Sequence, residues 1–146
     1  VRVFPSNLYL KADGTWLHEG TPVEHARLAA LLHRSIIAGP DGQPVVSTNG
    51  VDGGAIWCED TPLRVLGAHV AEDGVHLALS NERKELLDAA SVRVHGNGSW
   101  TCINSQGLTA RFTRQAQMAL MECVEEDAAG YLLRVGGSAW PLKQVD

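Results

Sequence analysis

An internally duplicated α+β fold is what this sequence predicts, and three observations predict it. Asp13-Gly14-Thr15-Trp16 returns as Asn97-Gly98-Ser99-Trp100 84 residues later, and Gly53-Gly54-Ala55-Ile56-Trp57 returns as Gly136-Gly137-Ser138-Ala139-Trp140 83 residues later. These two pairs use all 4 tryptophans, in the same order. Each half also carries one stretch with apolar residues at helical spacing, and the remainder reads as short alternating runs punctuated by glycine turns.

In the first half, Asn7 to Ala12 alternates as a strand, Asp13-Gly14 tolerates the positive φ of a tight hairpin, and Thr15 to His18 returns. Pro22 suits the edge of a first helical turn. Leu28, Leu31, Leu32 and Ile36 then mark one face of a helix over about Val23 to Ile37. Gly39-Pro40-Asp41-Gly42 ends it, and strands follow at Pro44–Thr48, Ala55–Cys58, Leu63–Val70 and Val75–Leu79. Ser80 to Ala90 reads equally as strand or helix. The pattern then restarts, with Ser91–His95 and Ser99–Ser105 flanking Asn97-Gly98 and Gly107–Phe112 continuing as strand. Thr113 is placed to cap a helix over Arg114 to Glu126, and Tyr131–Val135 and Ser138–Leu142 close the half. The implied organisation is a first repeat over 7–70, a connecting hairpin over 71–90 and a second repeat over 91–142 packed against the first, since a hairpin with one helix is marginal alone.

Composition bounds the function. A chain of 146 residues buries about 68–70% of its unfolded surface, and 45% hydrophobic with 20% charged residues is typical of a soluble globular protein. A net charge of −5 opposes binding to duplex nucleic acid. The most apolar helical stretch, Ala26 to Ile37, is interrupted by Arg27, His33 and Arg34, so no membrane span is expected. Val1 to Asn7 has no apolar signal core, and a cytoplasmic location is the expectation. Cys58, Cys102 and Cys123 fit neither a disulfide framework nor a zinc site and are read as reduced thiols; no cofactor or metal is expected. Asn97-Gly98-Ser99 matches a glycosylation sequon but is read as a turn.

The second predicted helix is charged against its dipole. Arg111 and Arg114 stand at its start, and Glu122, Glu125, Glu126 and Asp127 at its end. Each such exposed charge costs about 0.3–1 kcal/mol at low salt. Departures of this kind collect at functional sites, and arginines beside unpaired helix amides suit a phosphate or carboxylate. The competing reading pairs the arginines with surface carboxylates. Trp16 and Trp100 are expected in the core, while the glycines beside Trp57 and Trp140 leave room for a ligand to approach a flat ring.

Enzyme signatures are weak. The six histidines form no metal-binding pair on one helical turn. Gly50-Val51-Asp52-Gly53-Gly54 lacks the Lys-Ser/Thr of a P-loop, and Trp140 stands where a nucleophile elbow around Ser138 needs glycine. Glu59 and Asp60 would blunt Cys58 rather than activate it.

Asp13-Gly14-Thr15-Trp16-Leu17-His18-Glu19-Gly20-Thr21-Pro22-Val23 before a helix, Glu59-Asp60-Thr61-Pro62, Ser80-Asn81, Gly107 to Arg114 and the closing Pro141-Leu142 occur in an order that resembles bacterial domain-of-unknown-function family 1285. The resemblance implies a duplicated α+β architecture, a second half loosely like pleckstrin-homology folds, a ligand pocket at the junction of the halves, and a nucleotide-like ligand in a signalling role. The chain departs from the family pattern at Ser47-Thr48-Asn49-Gly50, where relatives usually carry Thr-Pro-Val-Glu, and at Trp140, where they usually carry Phe.

Together these readings predict a non-enzymatic binding module for a small anionic, nucleotide-like molecule. Arg111 and Arg114 would hold the charge, Asn81 would offer amide hydrogen bonds, and Trp57 or Trp140 a flat apolar face. The alternatives are a protein-interaction module that docks a partner through a sheet edge or the acidic helix end, and an enzyme acting through His18, Glu59 or Asp60.

Overall fold

In the computed structural model, which describes residues 1–146, the two tryptophan-bearing turns close with the same hydrogen bonds. In the first, Gly14 N donates to Lys11 O at 3.0 Å, Lys11 N to Thr15 O at 2.9 Å, and Asp13 Oδ1 accepts from Thr15 N at 2.9 Å. In the second, Gly98 N donates to His95 O at 2.8 Å, His95 N to Ser99 O at 2.8 Å, and Asn97 Oδ1 accepts from Ser99 N at 3.0 Å. Gly14 and Gly98, at φ 91° and 86°, occupy left-handed backbone that a side chain would strain. Each turn delivers a tryptophan to the core: Trp16 is 1% exposed and Trp100 5%.

The fold is mixed α+β, mostly sheet with two α-helices, and divides into two units: Val1–Pro62 with Gln106–Leu108, and Leu63–Ser105 with Thr109–Asp146. Gln106 joins the first unit by accepting a hydrogen bond from Ala38 N at 3.1 Å.

In the N-terminal unit, β1 (Arg2–Leu10), β2 (Trp16–His18), β3 (Thr21–Pro22), β4 (Ile36–Ala38), β5 (Pro44–Val46) and β6 (Asp52–Cys58) form one sheet in the order β3-β2-β1-β6-β5-β4. β6 runs parallel to β1 and the other neighbours are antiparallel. The helix α1 is shorter than its apolar spacing predicts, Ala26–Arg34, because Pro22 ends in β3 and His25 supplies the cap, Nδ1 accepting from Leu28 N. At the other end Ser35 turns the chain so that Ile36 is buried in β4. Leu10, Trp16, Leu32, Ile36, Val45 and Ile56 form the core.

In the C-terminal unit, β7 (Leu63–Ala71), β8 (Gly74–Leu79), β9 (Lys84–Leu86), β10 (Arg93–His95), β11 (Trp100–Ile103), β12 (Thr109–Phe112) and β16 (Lys143–Val145) form a sheet ordered β16-β10-β11-β12-β7-β8-β9. The strand over 63–71, placed by the sequence at the end of the first repeat, pairs with β12 and β8 here, because its apolar Leu63 and Val65 continue the Ala110–Phe112 row. The ambiguous stretch over 80–90 resolves into a turn, β9 and a 3₁₀ turn at Ala89–Ser91. β16 returns parallel to β10, as β6 returns parallel to β1 in the other unit.

Helix α2, Arg114–Leu120, opens as expected with Thr113 Oγ1 accepting from Ala116 N at 3.2 Å. Its predicted extension to Glu126 is not realised. A 3₁₀ turn at Met121–Cys123 follows, and Val124–Asp127 is β13, the edge of a small sheet with β14 (Gly130–Val135) and β15 (Ser138–Pro141). The extended form lets Glu125 accept from Arg134 Nε at 2.8 Å across the pair. Neither helix is long and apolar enough to cross a membrane.

Candidate functional site

Alternation along the central strands of the C-terminal unit gives its seven-stranded sheet two unlike faces. Leu63, Val65, Trp100, Cys102, Ala110 and Phe112 share one face, all buried. Helix α2 packs on β7 with Ala116 and Leu120 buried. Trp100 meets Phe112 edge to face, ring centroids 6.3 Å apart, a favoured arrangement of aromatic quadrupoles.

Beyond Trp100 this apolar side opens into a cleft of about 680 Å³. Val94, Trp100 and Gln144 come from β10, β11 and β16; Met121 and Val124 follow α2; Tyr131, Leu132, Pro141 and Leu142 belong to the small sheet and the residue after it. The cleft exists because the chain leaves the helical path after Leu120 and doubles back through the 127–130 turn, which stands the small sheet beside the large one. Asp127 supports that turn, Oδ1 accepting from Ala129 N at 2.9 Å. Asp127, Tyr131 and Gln144 are the polar side chains of the lining, and Asp127 its only ionisable group apart from the Tyr131 phenol. Walls of this size and character suit a drug-sized molecule with an apolar body.

The residues singled out from sequence are spread over the fold. Arg111 lies on β12, partly buried, with its guanidinium donating to Ser99 Oγ. Arg114 is exposed at the start of α2. Of the acidic residues expected at the helix end, Glu125, Glu126 and Asp127 are on β13 and Glu122 is in the 3₁₀ turn, so the reversed helix charge was an artefact of extending the helix too far. Asn81 is buried and serves a turn, its Oδ1 accepting from Arg83 N at 3.0 Å. Trp140, 38% exposed on β15, faces a separate hollow of about 220 Å³ shared with Gly74, Leu87 and Val135. Trp57 belongs to the N-terminal unit, where it is 75% exposed on β6 beside Tyr9 of β1. The cleft residues Met121, Val124, Leu132 and Leu142 were legible only as apolar helix or strand positions; nothing in their spacing pointed to a cavity.

The three thiols sit in surroundings that suppress the thiolate. Burial, reinforced by Asp60, pushes Cys58 up to about 11. Burial, with Glu85 and Asp88, pushes Cys102 up to about 12. Cys123 is raised by burial and by Glu122. Of the residues considered for catalysis, Glu59 is engaged with the turn that follows β1, Oε1 accepting from Ala12 N at 2.7 Å.

No family model and no curated protein matches the chain. Solved structures do. A DUF1285 family protein from Silicibacter pomeroyi DSS-3 superposes with a TM-score of 0.75 at 20% identity, over 97% of this chain and 81% of that one. A DUF1285 family protein from Shewanella baltica OS155 superposes with a TM-score of 0.58 at 20% identity, over 75% of this chain and 85% of that one. The chain therefore has the fold of DUF1285 family proteins, as the order of its sequence motifs implied.

Proposed function

We propose that this chain is a non-enzymatic binding module and that the cleft of its C-terminal unit receives a small molecule with a largely apolar body. The observation that carries the reading is the lining: Trp100, Met121, Val124, Leu132, Pro141 and Leu142 around about 680 Å³, with Asp127, Tyr131 and Gln144 as the polar contacts. Such walls reward burial of apolar surface at about 25 cal/mol per Å², and Asp127 favours a neutral or cationic head group over an anionic one. The raised thiols speak against nucleophilic cysteine chemistry.

A neutral fluorophore tests it. N-phenyl-1-naphthylamine should brighten on entering the cleft at micromolar protein, and Leu142→Trp, which fills the cavity, should abolish the response. No brightening, or the same response in Leu142→Trp, overturns the reading.

A second reading keeps the anionic, nucleotide-like ligand of a signalling or regulatory module and places it at Arg111. It is favoured by the surroundings of Asp146, where the Gly96 amide, His95 and the charge of Arg111 hold a carboxylate in its ionised form. The duplication belongs to the same reading; the matching turns at Asp13-Gly14 and Asn97-Gly98, and a last strand that runs parallel to the strand before that turn in each unit, support it.

A further inference from the structure

The face of the seven-stranded sheet turned away from α2 carries a row of cations that only strand register reveals. Lys143 of β16 is paired with Arg93 of β10, Arg93 with Thr101 of β11, Thr101 with Arg111 of β12, and Arg111 with Arg64 of β7. Paired residues point to the same face. The row therefore reads Lys, Arg, Thr, Arg, Arg without a carboxylate, in a chain whose net charge is −5. At about 4.8 Å between strands it spans about 19 Å, with Arg93 and Arg111 about 10 Å apart on either side of Thr101.

Two of the four pairings, Lys143 with Arg93 and Arg111 with Arg64, set like charges directly side by side, which is destabilising. Sequences that tolerate such conflicts do so most often where function requires it.

The surroundings are built of donors. Arg93 is held by hydrogen bonds from its guanidinium to Ala90 O at 2.8 Å and Val92 O at 2.9 Å. Arg111 donates to Ser99 Oγ. Thr101, 5% exposed at the centre, is bonded through Oγ1 to His95 Nε2 at 2.9 Å. The carboxylate beside the row is Asp146, which contacts His95 Nδ1 at 3.3 Å and accepts from Gly96 N at 3.1 Å. It shows how this corner treats an anion: the Gly96 amide, His95 and the charge of Arg111 all favour its ionised form.

We propose that this row is a binding site for a compact, multiply phosphorylated small molecule, whose phosphate groups bridge the Arg93–Lys143 and Arg64–Arg111 pairs over Thr101. The guanidinium fork matches phosphate oxygens bidentately, and two cation pairs whose inner members lie about 10 Å apart and whose centres lie about 14 Å apart favour several phosphates on one scaffold over a single one. The inference rests on the second reading, an anionic ligand at Arg111, and is independent of the cleft.

Titration calorimetry of the full chain with inositol hexakisphosphate and with orthophosphate tests it. The account expects saturable binding of inositol hexakisphosphate that weakens as salt rises, orthophosphate weaker by at least about a hundredfold, and a loss of about tenfold in Arg64→Gln. Lys143→Gln should weaken binding and, like Arg64→Gln, flatten the salt dependence, while Arg64→Lys should recover part of the loss. Vesicles carrying phosphatidylinositol bisphosphate, run beside soluble inositol trisphosphate, separate a lipid headgroup from a free ligand as the source of the phosphates. Equal binding to vesicles of phosphatidylserine alone would overturn the site as a phosphate reader. If Arg111→Gln abolishes binding while Arg64→Gln and Lys143→Gln leave it intact, the row fails and the anionic ligand at Arg111 survives. Absence of binding at low salt and millimolar ligand removes both.

Discussion

The two faces of the C-terminal sheet are made by the same strands and obey opposite rules. On one, Leu63, Val65, Ala110 and Phe112 are buried, and β-branched, aliphatic and aromatic neighbours support one another. On the other, Arg64 and Arg111 stand side by side between those same residues, and Arg93 and Lys143 repeat the conflict two strands away. The first face shows what the sheet needs to fold. The second shows what it carries in spite of folding.

Substitutions should separate the faces cleanly. Phe112→Ala removes an aromatic from the packed side and its edge-to-face contact with Trp100, so urea unfolding should report a loss of about 3–5 kcal/mol. Arg111 is the adjacent residue of the same strand and points to the opposite face, and a comparable loss from Arg111→Gln would break the distinction.

The buried side also silences its thiol. With Cys102 pushed up to about 12 by burial, its thiolate population at pH 8 should lie about a thousandfold below that of an ordinary cysteine. Native protein should therefore leave Cys102 unlabelled by iodoacetamide over hours and label it on unfolding in urea, read by peptide mass spectrometry. Rapid native labelling would mean that the apolar face opens.

On the cationic face the expected changes are smaller and opposite in sign. Relieving one like-charge neighbour by Arg64→Gln should raise stability by roughly 0.2–1 kcal/mol in dilute buffer, and the gain should fade in 0.5 M salt as screening sets in. A decrease would mean that Arg64 has a structural role that outweighs the repulsion.

The smallest effect is at the rim. Asp146 is held below the usual carboxylate range, first by the Gly96 amide, then by His95, with Arg111 adding its charge. A lowered folded-state value means that its stabilisation is complete above the unfolded value near 4 and is lost as pH falls through the folded one. Asp146→Asn should therefore flatten the acid limb of a thermal-stability profile below about pH 4 and change little at pH 7. An unchanged acid limb would remove Asp146 from the donor corner.

Much of the architecture was legible. Asp13-Gly14 and Asn97-Gly98 announced their hairpins because positive φ leaves few residues to choose from, and Thr113 announced the start of α2. The end of α2 was not legible. Met118, Met121 and Val124 keep helical spacing, yet the pairing of β13 with β14 overrides that local pattern after Leu120. The cleft depends on that turn-off, so it was hidden for the same reason. The cation row was hidden more thoroughly: Arg64, Arg93, Arg111 and Lys143 lie 29, 18 and 32 residues apart, and only their strand register makes them neighbours. Arg111 was found from the sequence through a helix-charge argument that the fold does not support.

The division of labour between the faces can be read most directly by nuclear magnetic resonance of the full chain, following arginine Nε–H and methyl signals while inositol hexakisphosphate and then N-phenyl-1-naphthylamine are added. The account predicts that the phosphate compound moves the Nε–H signals of Arg64, Arg93 and Arg111 and leaves the methyls of Met121, Leu132 and Leu142 in place, and that the fluorophore does the reverse. Both ligands moving one common set of signals would contradict it.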